Sequence, residues 1–536
     1  MTKLCVVATG NDPDSLVLRA HRALEVGADM VELRLDHLDD PVAMTGETVG
    51  AAVALEPLVS AEVIASVRAP KDGGLFHGTE EDRQSLLFVM ASAGLPWIDL
   101  EGYLPPYVLD DLSAQARSVG TRVVVSWHVE REEDWDDVGD RARAAVKDGT
   151  ADAAKIVLQV EDRQGLDGLM GFSWSLSKER VPHVLLPSGR LSRIGRIMAP
   201  ATNTLWVYSE LAERDYFGPL GLPRFDELDA AWRRMGTREV PGAPARPTPP
   251  LEAKDSSGDW TLLALLGDPV AHTNSPVVHQ TAMRRLGMRG AYLPYRTSPG
   301  DVADALADLA LAGARGANVT VPLKTEAAAA VDELGQSARL SGAVNTIVFE
   351  AEGRTRGENT DADGVMMVAR ELLGGDGGGR TALVLGTGGA ARGAVVGLAD
   401  WGARVLATGR NPDHLATMIS DLVGLAEPIN AVNLRDVAGS VDILVQATSQ
   451  GMHGVPAEGP VVPVKVLEET SAGAVLEMVY APGGTDLVKA ARLLGLPAAG
   501  GERALLHQAV AGFRHWTGRD PPAAEMDREL TKALGQ

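Results

Sequence analysis

The chain has 536 residues, more than one hydrophobic core usually spans, so at least two large domains are expected. Its 50 Lys and Arg residues stand against 72 Asp and Glu residues, a net charge of -22, with no basic block that could neutralise a nucleic acid or an anionic membrane. Nucleic acid and membrane are therefore not expected as partners, and no apolar run approaches the length of a membrane span.

Cysteine usage and the N-terminal residues predict the compartment. The single cysteine, Cys5, cannot form an intramolecular disulfide, and its place in the apolar run LCVVAT predicts a buried strand residue. The N-terminus enters that run without the features of a signal peptide or a presequence, so we expect a cytoplasmic protein. One cysteine and scattered histidines give no metal-ligand spacing, and no metal site is predicted.

Short apolar runs alternate with helical patterns in the first half of the chain. They lie at residues 4–9, 30–36, 63–69, 97–102, 122–128, 153–160, 183–187 and 204–209. Strands that can be buried on both faces, repeated with helices over about 240 residues, predict a (β/α)8 TIM barrel. The functional groups of such a barrel lie at the carboxyl ends of its strands.

Two polar residues in or after these runs suggest chemistry. Lys155 is open to two interpretations: a lysine that snorkels from a strand end, or an amine kept neutral by apolar surroundings and able to attack a ketone. His128 taken alone would most often be a structural histidine. A histidine and a lysine on adjacent barrel strands nevertheless suit proton transfer beside a Schiff base.

Five motifs resemble, in order and spacing, the type I 3-dehydroquinate dehydratases. They are VELRLD at 31–36, SVRAPKDGG at 66–74, SWH at 126–128, ADAAK at 151–155 and SR at 192–193, and the resemblance covers most of residues 1–235. It implies dehydration of 3-dehydroquinate to 3-dehydroshikimate, with Lys155 forming an imine to the substrate and His128 moving protons. It also implies four residues that hold the substrate's hydroxyls and carboxylate: Glu32, Arg34, Arg68 and Arg193.

The first half departs from this family in two loops. The family usually has Glu-Gly-Gly where this chain has Asp72-Gly73-Gly74, so a carboxylate is retained on a shorter arm. Its late loop, usually Ser-Ala-Pro-Gly-Gln, aligns best with residues 218–222, GPLGL, which lack both the serine and the glutamine. We therefore expect this half to bind its substrate weakly or to accept a modified one.

Residues 241–259, PGAPARPTPPLEAKDSSGD, contain five prolines and few large apolar side chains. Such a segment stays extended and solvated, which predicts a linker at 239–259 between a barrel at 1–238 and a second half. After it, TLLALLG at 261–267 predicts a strand. Ser275 before Pro276 predicts a helix N-cap, and the hydroxyls of Thr273 and Ser275 at a helix N-terminus also suit a substrate carboxylate.

The run TALVLGTGGAARGA at 381–394 predicts a strand, a glycine turn and a helix. Gly386 permits the turn, Gly388 lets the backbone approach a pyrophosphate, and Gly389 and Ala390 open the helix that faces it. The alternative is a tight turn without a ligand. Arg410 follows the next strand at the position where a carboxylate would favour NAD, and it points instead to the 2′-phosphate of NADP, although Asp413 lies close by.

Further motifs bring a second resemblance. They are ANVTVPLK at 317–324, GAVNT at 342–346, GENTDADG at 357–364, ILVQATSQGM at 443–452, AVLEMVYAP at 474–482 and GGERALLHQAVAGFRHWTG at 500–518. Together with the glycine turn they closely resemble shikimate dehydrogenase over nearly all of residues 260–536. The resemblance implies an α/β substrate domain at 260–364, completed by 498–536, and a Rossmann NADP-binding domain at 365–497.

The second resemblance also implies site residues. Lys324 and Asp361 would form the catalytic pair. Substrate would be bound by Thr273, Ser275, Thr320, Asn345, Asn359 and Gln508. The nucleotide would be bound by Gly386, Gly388, Gly389, Ala390, Arg410, Thr448 and Met478.

The sequence therefore predicts a bifunctional enzyme that makes 3-dehydroshikimate and reduces it to shikimate with NADPH. Two alternatives stay open. Thr273 stands where the family usually has serine, which leaves quinate or a modified analogue as substrate. A ligand-sensing regulator with a degenerate barrel is the other alternative, against which stand the retained lysines, His128 and Asp361. The sequence predicts no particular oligomeric state.

Overall fold

The computed structural model describes residues 2–54, 61–131, 134–211, 222–238, 260–270, 273–429, 441–451, 467, 472–481 and 483–535. The chain divides into two compact units, Met1–Gly258 and Asp259–Gln536. The predicted linker at 239–259 lies outside the described residues. Residues 218–221 of the late loop lie outside them too.

The first unit is built on eight strands: β1 Lys3–Ala8, β2 Met30–Arg34, β3 Glu62–Ser66, β4 Trp97–Glu101, β5 Arg122–Val129, β6 Ala153–Gln159, β7 His183–Ser188 and β8 Trp206–Ser209. They form one parallel sheet in the order β7-β6-β5-β4-β3-β2-β1-β8. A 2.9 Å hydrogen bond from Leu205 N to His183 O links the beginning of β8 to that of β7, so the sheet nearly closes. The predicted α/β barrel is confirmed.

In the part of the first unit that the structure describes, eight helices accompany these strands: α1 Pro13–Glu25, α2 Pro41–Ala54, α3 Glu80–Ser92, α4 Pro106–Ser118, α5 Trp135–Lys147, α6 Arg163–Lys178, α7 Ser192–Met198 and α8 Phe225–Arg234. Local sequence determines where several begin. Asp12 and Thr79 cap α1 and α3, each by accepting a hydrogen bond from the third residue of its helix.

The burial of the barrel strands agrees with the sequence pattern, while two of the strands are shorter than predicted. The strands β2 and β4 are buried at every position, as the two-sided apolar pattern predicts. Cys5 on β1 is buried, and burial raises the pKa of its thiol, so the prediction of a buried strand residue is confirmed. Strands β2 and β3 end at Arg34 and Ser66, earlier than predicted, and short 3-10 turns follow them.

The second unit begins with a mixed sheet. Its strands are β9 Thr261–Gly267, β10 Gly290–Arg296, β11 Ala314–Val319, β12 Glu333–Leu334, β13 Thr346–Phe349 and β14 Thr355–Glu358, in the order β10-β9-β11-β13-β14-β12. Strand β13 runs antiparallel to β11 and β14. The helices of this part are α9 Ser275–Arg285, α10 Val302–Leu311, α11 Lys324–Ala330 and α12 Gln336–Ser341.

A parallel sheet follows: β15 Thr381–Leu385, β16 Arg404–Thr408, β17 Glu427–Pro428, β18 Ile443–Gln446, β19 Ala474–Glu477 and β20 Ala498–Ala499. Its order, β17-β16-β15-β18-β19-β20, is that of a Rossmann sheet, in which the order reverses between the first and fourth strands. The helices are α13 Thr360–Leu373, α14 Gly389–Trp401, α15 Pro412–Asp421 and α16 Asp486–Leu493.

Two C-terminal helices, α17 Gly501–Thr517 and α18 Ala523–Ala533, return to the mixed sheet. Phe513 and Trp516 on α17 share a buried cluster with Leu263 of β9. The indole of Trp516 donates a 2.8 Å hydrogen bond to Ile347 O on β13. The end of the chain thereby completes the core of the sheet with which this unit begins.

Two candidate active sites

Lys155 lies on β6 inside the barrel, with only 2% of its surface exposed. Its Nζ donates a 2.7 Å hydrogen bond to Asp99 Oδ2 on β4 and lies 3.8 Å from Glu32 Oε1 on β2. The same Nζ lies 4.4 Å from the ring centroid of Tyr208 on β8. Four strands of the barrel thus enclose one amine.

This environment lowers the pKa of Lys155. Burial is the main cause, and the positive charge of Arg68 adds to it, while Asp99 and Glu32 oppose the shift. A lower pKa increases the neutral share of the amine, which is the form that attacks a carbonyl. Lys155 is buried and paired with Asp99, so it does not snorkel into solvent.

Arg68 and His128 lie beside Lys155. The Nη1 atom of Arg68 is 2.6 Å from Nε2 of His128, and its Nη2 atom is 3.3 Å from Asp99 Oδ2. Burial is the main reason that the pKa of His128 falls to about 2, followed by the positive charges of Arg68 and Lys155. Burial and these two charges therefore favour the neutral imidazole of His128.

Asp99 is a site residue that sequence reasoning missed. Burial alone would raise the pKa of this carboxyl, but Lys155 and Arg68 outweigh burial and hold it below its usual range. Asp99 was detectable in principle. It stands in the middle of the apolar run 97–102, where a buried carboxylate needs a cationic partner.

Of the other predicted barrel residues, Glu32 belongs to the cluster around Lys155, whereas Arg34 and Arg193 are paired with other carboxylates of the protein. Glu32 lies 3.5 Å from Arg68 Nη2 and joins the cluster around Lys155. Arg34 makes a buried bidentate pair with Asp36, at 2.9 and 2.7 Å, and its charge helps to lower the pKa of His128. Arg193, at the start of α7, donates from Nε to Glu227 of α8 at 2.6 Å, so the structure pairs it with a carboxylate of the protein.

The second unit contains another lysine–carboxylate pair. Lys324 is the first residue of α11 and Asp361 the second residue of α13, and Lys324 Nζ donates a hydrogen bond to Asp361 Oδ2. The other oxygen, Oδ1, accepts a 2.8 Å hydrogen bond from Asn345 Nδ2. Both oxygens of Asp361 are therefore fixed, and the carboxylate presents Lys324 in one orientation.

Asn345 connects this pair to the C-terminal helix. Its Nδ2 also donates to Gln508 Oε1 of α17 at 3.2 Å, and its Oδ1 accepts a 2.7 Å hydrogen bond from Thr360 N. Gln508 additionally accepts from the Thr360 hydroxyl at 3.3 Å. The structure thus brings together four of the residues predicted for this site: Lys324, Asp361, Asn345 and Gln508.

The predicted N-cap at Ser275 is wrong by one residue. Asn274 occupies the N-cap position, and Ser275 is the first residue of α9. The hydroxyl of Thr273 accepts a 3.1 Å hydrogen bond from Ser275 N and donates to Ser275 Oγ at 3.1 Å, so an earlier residue supplies the capping oxygen. The two hydroxyls predicted to bind a carboxylate do lie side by side.

Tyr480 is another residue that the sequence did not single out. Its hydroxyl accepts a 3.4 Å hydrogen bond from Asn274 N, so a residue just past β19 contacts the Thr273–Ser275 turn. Thr320 follows β11 and is half-buried, with its N–H donating to Leu266 O at 2.8 Å.

Asn359, predicted to bind substrate, is fully buried in this structure. It is 0% exposed, and its Nδ2 donates to Ser341 Oγ and to Ala343 O, both at 2.9 Å. Its own N–H donates to Ser337 Oγ at 3.2 Å. Asn359 therefore ties α12 and the segment after it to the start of α13, while its Oδ1 has no hydrogen-bond partner among the described residues, and its role toward substrate stays a prediction.

The glycine turn after β15 fits a dinucleotide. Gly386 has φ +128°, and a Cβ there would come within 2.9 Å of Ala447 O. A Cβ on Gly388 would meet no atom within 4 Å, and no side chain caps α14, so the backbone at its N-terminus is open to an anion. As predicted, the helix begins with Gly389 and Ala390. The turn lies where the strand order of the sheet reverses, between β15 and β18.

The remaining residues predicted for the nucleotide lie along the same sheet edge. Arg410 is exposed just beyond β16, ahead of the N-cap Asn411 of α15. Thr448 follows β18, and its N–H and Oγ1 both bond to the amide of Gln446, at 2.9 and 2.8 Å. Met478 follows β19, and its N–H donates to Gln446 O at 2.8 Å. The sequence did not identify Gln446 as the residue that connects these two.

The glycine turn after β15 meets the Lys324–Asp361 pair. A Cβ on Gly389 would lie 3.0 Å from Lys324 Cβ, so the start of α14 packs directly against that lysine.

Within the described residues, no helix is both long and apolar enough to cross a bilayer.

Glu477, at the end of β19, should make the stability of the second unit pH-dependent. Burial raises its pKa from 4.5 to about 8. The native state then holds a proton that the unfolded chain releases, so the contribution is fully present below pH 4.5 and is lost as pH rises through about 8. We expect Glu477→Gln to unfold at a similar temperature to the wild type near pH 5 and at a higher temperature near pH 8.5, as measured by calorimetry.

Glu427→Gln is the matched control, because Glu427 is exposed on β17 of the same sheet and its pKa is lowered by Arg404. It should not change the loss of stability on the alkaline side. An identical decline of both variants with rising pH would contradict the assignment to Glu477.

Three parts of the chain match models of known families. Residues 4–239 match the type I 3-dehydroquinase family, and residues 265–347 match the shikimate dehydrogenase substrate binding domain. Residues 501–531 match the shikimate 5'-dehydrogenase C-terminal domain. Between them these matches fall in both units.

The chain is also similar to individual proteins. It is 39% identical over 279 residues to the shikimate dehydrogenase (NADP(+)) of Rubrobacter xylanophilus, covering 51% of this chain and 96% of that protein. It is 41% identical over 268 residues to the shikimate dehydrogenase (NADP(+)) of Acidiphilium cryptum, covering 49% of this chain and 93% of that protein. A solved structure of dehydroquinate dehydratase and shikimate dehydrogenase from S. pombe is 23% identical with a TM-score of 0.43, covering 99% of this chain and 98% of that chain.

Proposed function

The chain belongs to the shikimate dehydrogenase family and matches the type I 3-dehydroquinase family over residues 4–239, and from this we propose a two-step enzyme. The first half eliminates water from 3-dehydroquinate, and the second half reduces the resulting 3-dehydroshikimate to shikimate with NADPH. One observation carries the proposal: each half holds its own lysine against a carboxylate, Lys155 against Asp99 and Lys324 against Asp361.

Lys155 performs the first step. Its amine nitrogen attacks the ketone carbon, and the carbonyl oxygen leaves as water, so an imine joins the enzyme to its substrate. Asp99, 2.7 Å from Nζ, is placed to take the proton that the amine loses. The protonated imine draws electrons from the adjacent C–H bond, the resulting enamine expels hydroxide as water, and hydrolysis of the imine releases the conjugated enone.

His128 moves the protons in this elimination. Once Arg68 turns from Nε2 to the substrate's carboxylate, Nε2 of the neutral ring takes the proton from the carbon next to the imine and returns it to the departing hydroxyl. Arg68 bonds to His128 and carries a positive charge into the same buried cluster, where it also suits the substrate's carboxylate. The remaining family-implied residues, Glu32, Arg34 and Arg193, would orient the substrate.

Lys324 and Asp361 perform the second step. Bound NADPH supplies the hydride that reduces the ketone carbon. Lys324 donates a proton to the ketone oxygen as negative charge develops there, and Asp361 holds the ammonium group at that point. Hydroxyls of Thr273, Ser275 and Thr320, with the amide of Gln508, would bind the substrate around this pair.

The nucleotide would lie across the carboxyl edge of the Rossmann sheet. Backbone N–H groups of the turn from Gly386 to Ala390 would hold the pyrophosphate at the N-terminus of α14. Arg410 would bind the 2′-phosphate, while Thr448 and Met478 would line the site beside the reacting ring.

Both activities can be measured on one preparation. The full chain is given 3-dehydroquinate without nucleotide, and the absorbance of the enone is followed. In a second cuvette it is given NADP and either shikimate or quinate. We expect enone formation and shikimate oxidation. A flat enone trace would contradict the first step, and faster oxidation of quinate than of shikimate would support a quinate dehydrogenase instead.

Arg410 should determine the choice of nucleotide. Replacing it with alanine removes a charge-assisted contact to the 2′-phosphate, so we expect Arg410→Ala to raise KM for NADPH by about tenfold or more. KM for NADH, which lacks that phosphate, should stay within about twofold. The measurement is reduction of 3-dehydroshikimate at varied nucleotide concentration.

Arg404→Ala provides the control, because Arg404 is an exposed arginine on the preceding strand and is paired with Glu427. It should leave both constants unchanged. An equal rise in KM for both nucleotides in Arg410→Ala would argue against a contact with the 2′-phosphate.

A further inference from the structure

The proton on His128 has a defined position. Arginine can only donate hydrogen bonds, so Nε2 of His128, 2.6 Å from Arg68 Nη1, must be the accepting nitrogen. In the neutral ring the proton then lies on Nδ1. That nitrogen is buried and has no hydrogen-bond partner among the described residues. A buried N–H without an acceptor is costly, so a nearby carboxylate should matter to this ring.

The carboxylate that faces Nδ1 belongs to Asp72. Its Oδ1 lies 3.7 Å from Nδ1 of His128, just beyond hydrogen-bonding distance. Asp72 ends a 3-10 turn, Pro70–Asp72, and Gly74 packs so closely on the backbone of Arg68 that a Cβ there would lie 1.9 Å from Arg68 O. The loop that carries Asp72 therefore packs against the backbone of Arg68, next to the site.

Tyr103 controls that side chain. It follows β4, and its hydroxyl donates a hydrogen bond to Asp72 Oδ2, the oxygen that does not face His128. Lys71 Nζ lies over the Tyr103 ring, 2.9 Å from its centroid, and this cation–π contact helps to keep the ring in place. Burial, together with the hydrogen bond to Asp72, raises the pKa of Tyr103, so its hydroxyl stays protonated and remains a donor.

We propose that Tyr103 is a positioning residue for dehydration: it anchors one oxygen of Asp72 so that the other stays directed at Nδ1 of His128. The inference rests on the proposed function of the barrel. The carboxylate of Asp72 must move slightly to close the 3.7 Å separation from Nδ1, and the hydrogen bond from Tyr103 limits the orientations from which it can do so. The anchored carboxylate needs only a small shift to accept a hydrogen bond from Nδ1–H of His128, and that hydrogen bond orients the ring for proton transfer.

The first test is Tyr103→Phe, which removes only the hydroxyl. We expect kcat for dehydration of 3-dehydroquinate to fall about five- to twentyfold with KM within twofold, since orientation of the base is lost and substrate contacts are not. Tyr107→Phe is the matched control, because Tyr107 lies four residues later and is 70% exposed. It should change neither constant. An unchanged kcat in Tyr103→Phe would overturn the inference.

The second test separates positioning from a general structural effect. In an Asp72→Asn background, Tyr103→Phe should lower kcat for dehydration no further, because Tyr103 acts only through the carboxylate. In an Asp72→Glu background, Tyr103→Phe should change kcat by less than twofold. One more methylene, about 1.5 Å of bond length, lets the carboxylate reach His128 without the help of Tyr103. The same fold loss in all three backgrounds would overturn the inference.

Dehydrogenase activity of each variant normalises the amount of full-length protein, and calorimetric unfolding of the unit Met1–Gly258 reports whether the barrel itself is folded. Wild-type dehydration in the same assay separates the two hypotheses. If the wild type forms no enone, the proposed function of the barrel fails. If the wild type is active and Tyr103→Phe is equally active, only the role of Tyr103 fails.

Discussion

Lys155→Ala is expected to lower kcat/KM for dehydration of 3-dehydroquinate on the order of 10⁴-fold, while oxidation of shikimate by the same protein stays within about twofold. The variant has no amine to form the imine, and nothing else described in the barrel is a buried lysine. Dehydration is followed through the enone absorbance. Reduction with borohydride in the presence of 3-dehydroshikimate should add the mass of that ligand less one oxygen atom to the wild type and not to the variant.

Loss of activity through unfolding must be distinguished from loss of the nucleophile. Removing Lys155 leaves Asp99 buried, although Arg68 remains 3.3 Å away as a cationic partner. Lys155→Met keeps most of the side-chain volume and should be as inactive as the alanine variant. Lys147→Ala, at an exposed lysine on α5, should be fully active. Substantial dehydration by Lys155→Met would contradict imine catalysis.

Asp361→Asn should have the largest effect in the second unit, lowering kcat of the dehydrogenase on the order of 10³-fold without changing dehydration. Both oxygens of Asp361 accept hydrogen bonds, from Lys324 and from Asn345. An amide can accept on one side only, so its NH2 group would face a donor and displace either Lys324 or Asn345. KM for NADPH should stay close to that of the wild type.

Asp363→Asn is the control on the same helix. Asp363 lies two residues along α13, and the charged groups that influence its pKa are His515, Glu358 and Asp400 rather than Lys324. Its replacement should leave kcat within about twofold. If Asp361→Asn keeps more than a tenth of the wild-type kcat, the pair does not act as the proton donor.

The barrel was predictable because its signal is local and repeated. Apolar residues recur on both faces of its strands, and the β2 and β4 strands are indeed buried throughout. The glycine turn was predictable for a different reason: Gly386 occupies a backbone conformation with φ +128° that favours glycine, so the residue type itself carries the structural information.

Partners of the functional residues were less predictable, because they come from distant parts of the chain. Lys155 pairs with Asp99, 56 residues away, and this contact depends on how the strands stagger around the barrel. The orientation of a polar side chain at a strand end is equally non-local. Asn345 and Asn359 lie beside adjacent ends of β13 and β14, yet one binds Asp361 and the other turns to Ser341.

The N-cap at Ser275 illustrates a smaller error of the same kind. A serine before a proline matches the pattern of a helix start. The hydroxyl of Thr273, however, accepts a hydrogen bond from the N–H of Ser275, and the helix begins at Ser275, one residue earlier than the pattern indicates. The residues implied by resemblance for substrate and nucleotide remain predictions of their roles.

The most direct test of the central claim is a single coupled assay on the full chain. It receives 3-dehydroquinate and NADPH, and nucleotide oxidation is followed at constant enzyme concentration. The two-step account predicts that one NADPH is oxidised for each 3-dehydroquinate supplied, that Lys155→Met oxidises none, and that adding 3-dehydroshikimate restores oxidation in that variant. No NADPH oxidation by the wild type from 3-dehydroquinate, with normal oxidation from 3-dehydroshikimate, would contradict the account and leave a dehydrogenase joined to a barrel of another function.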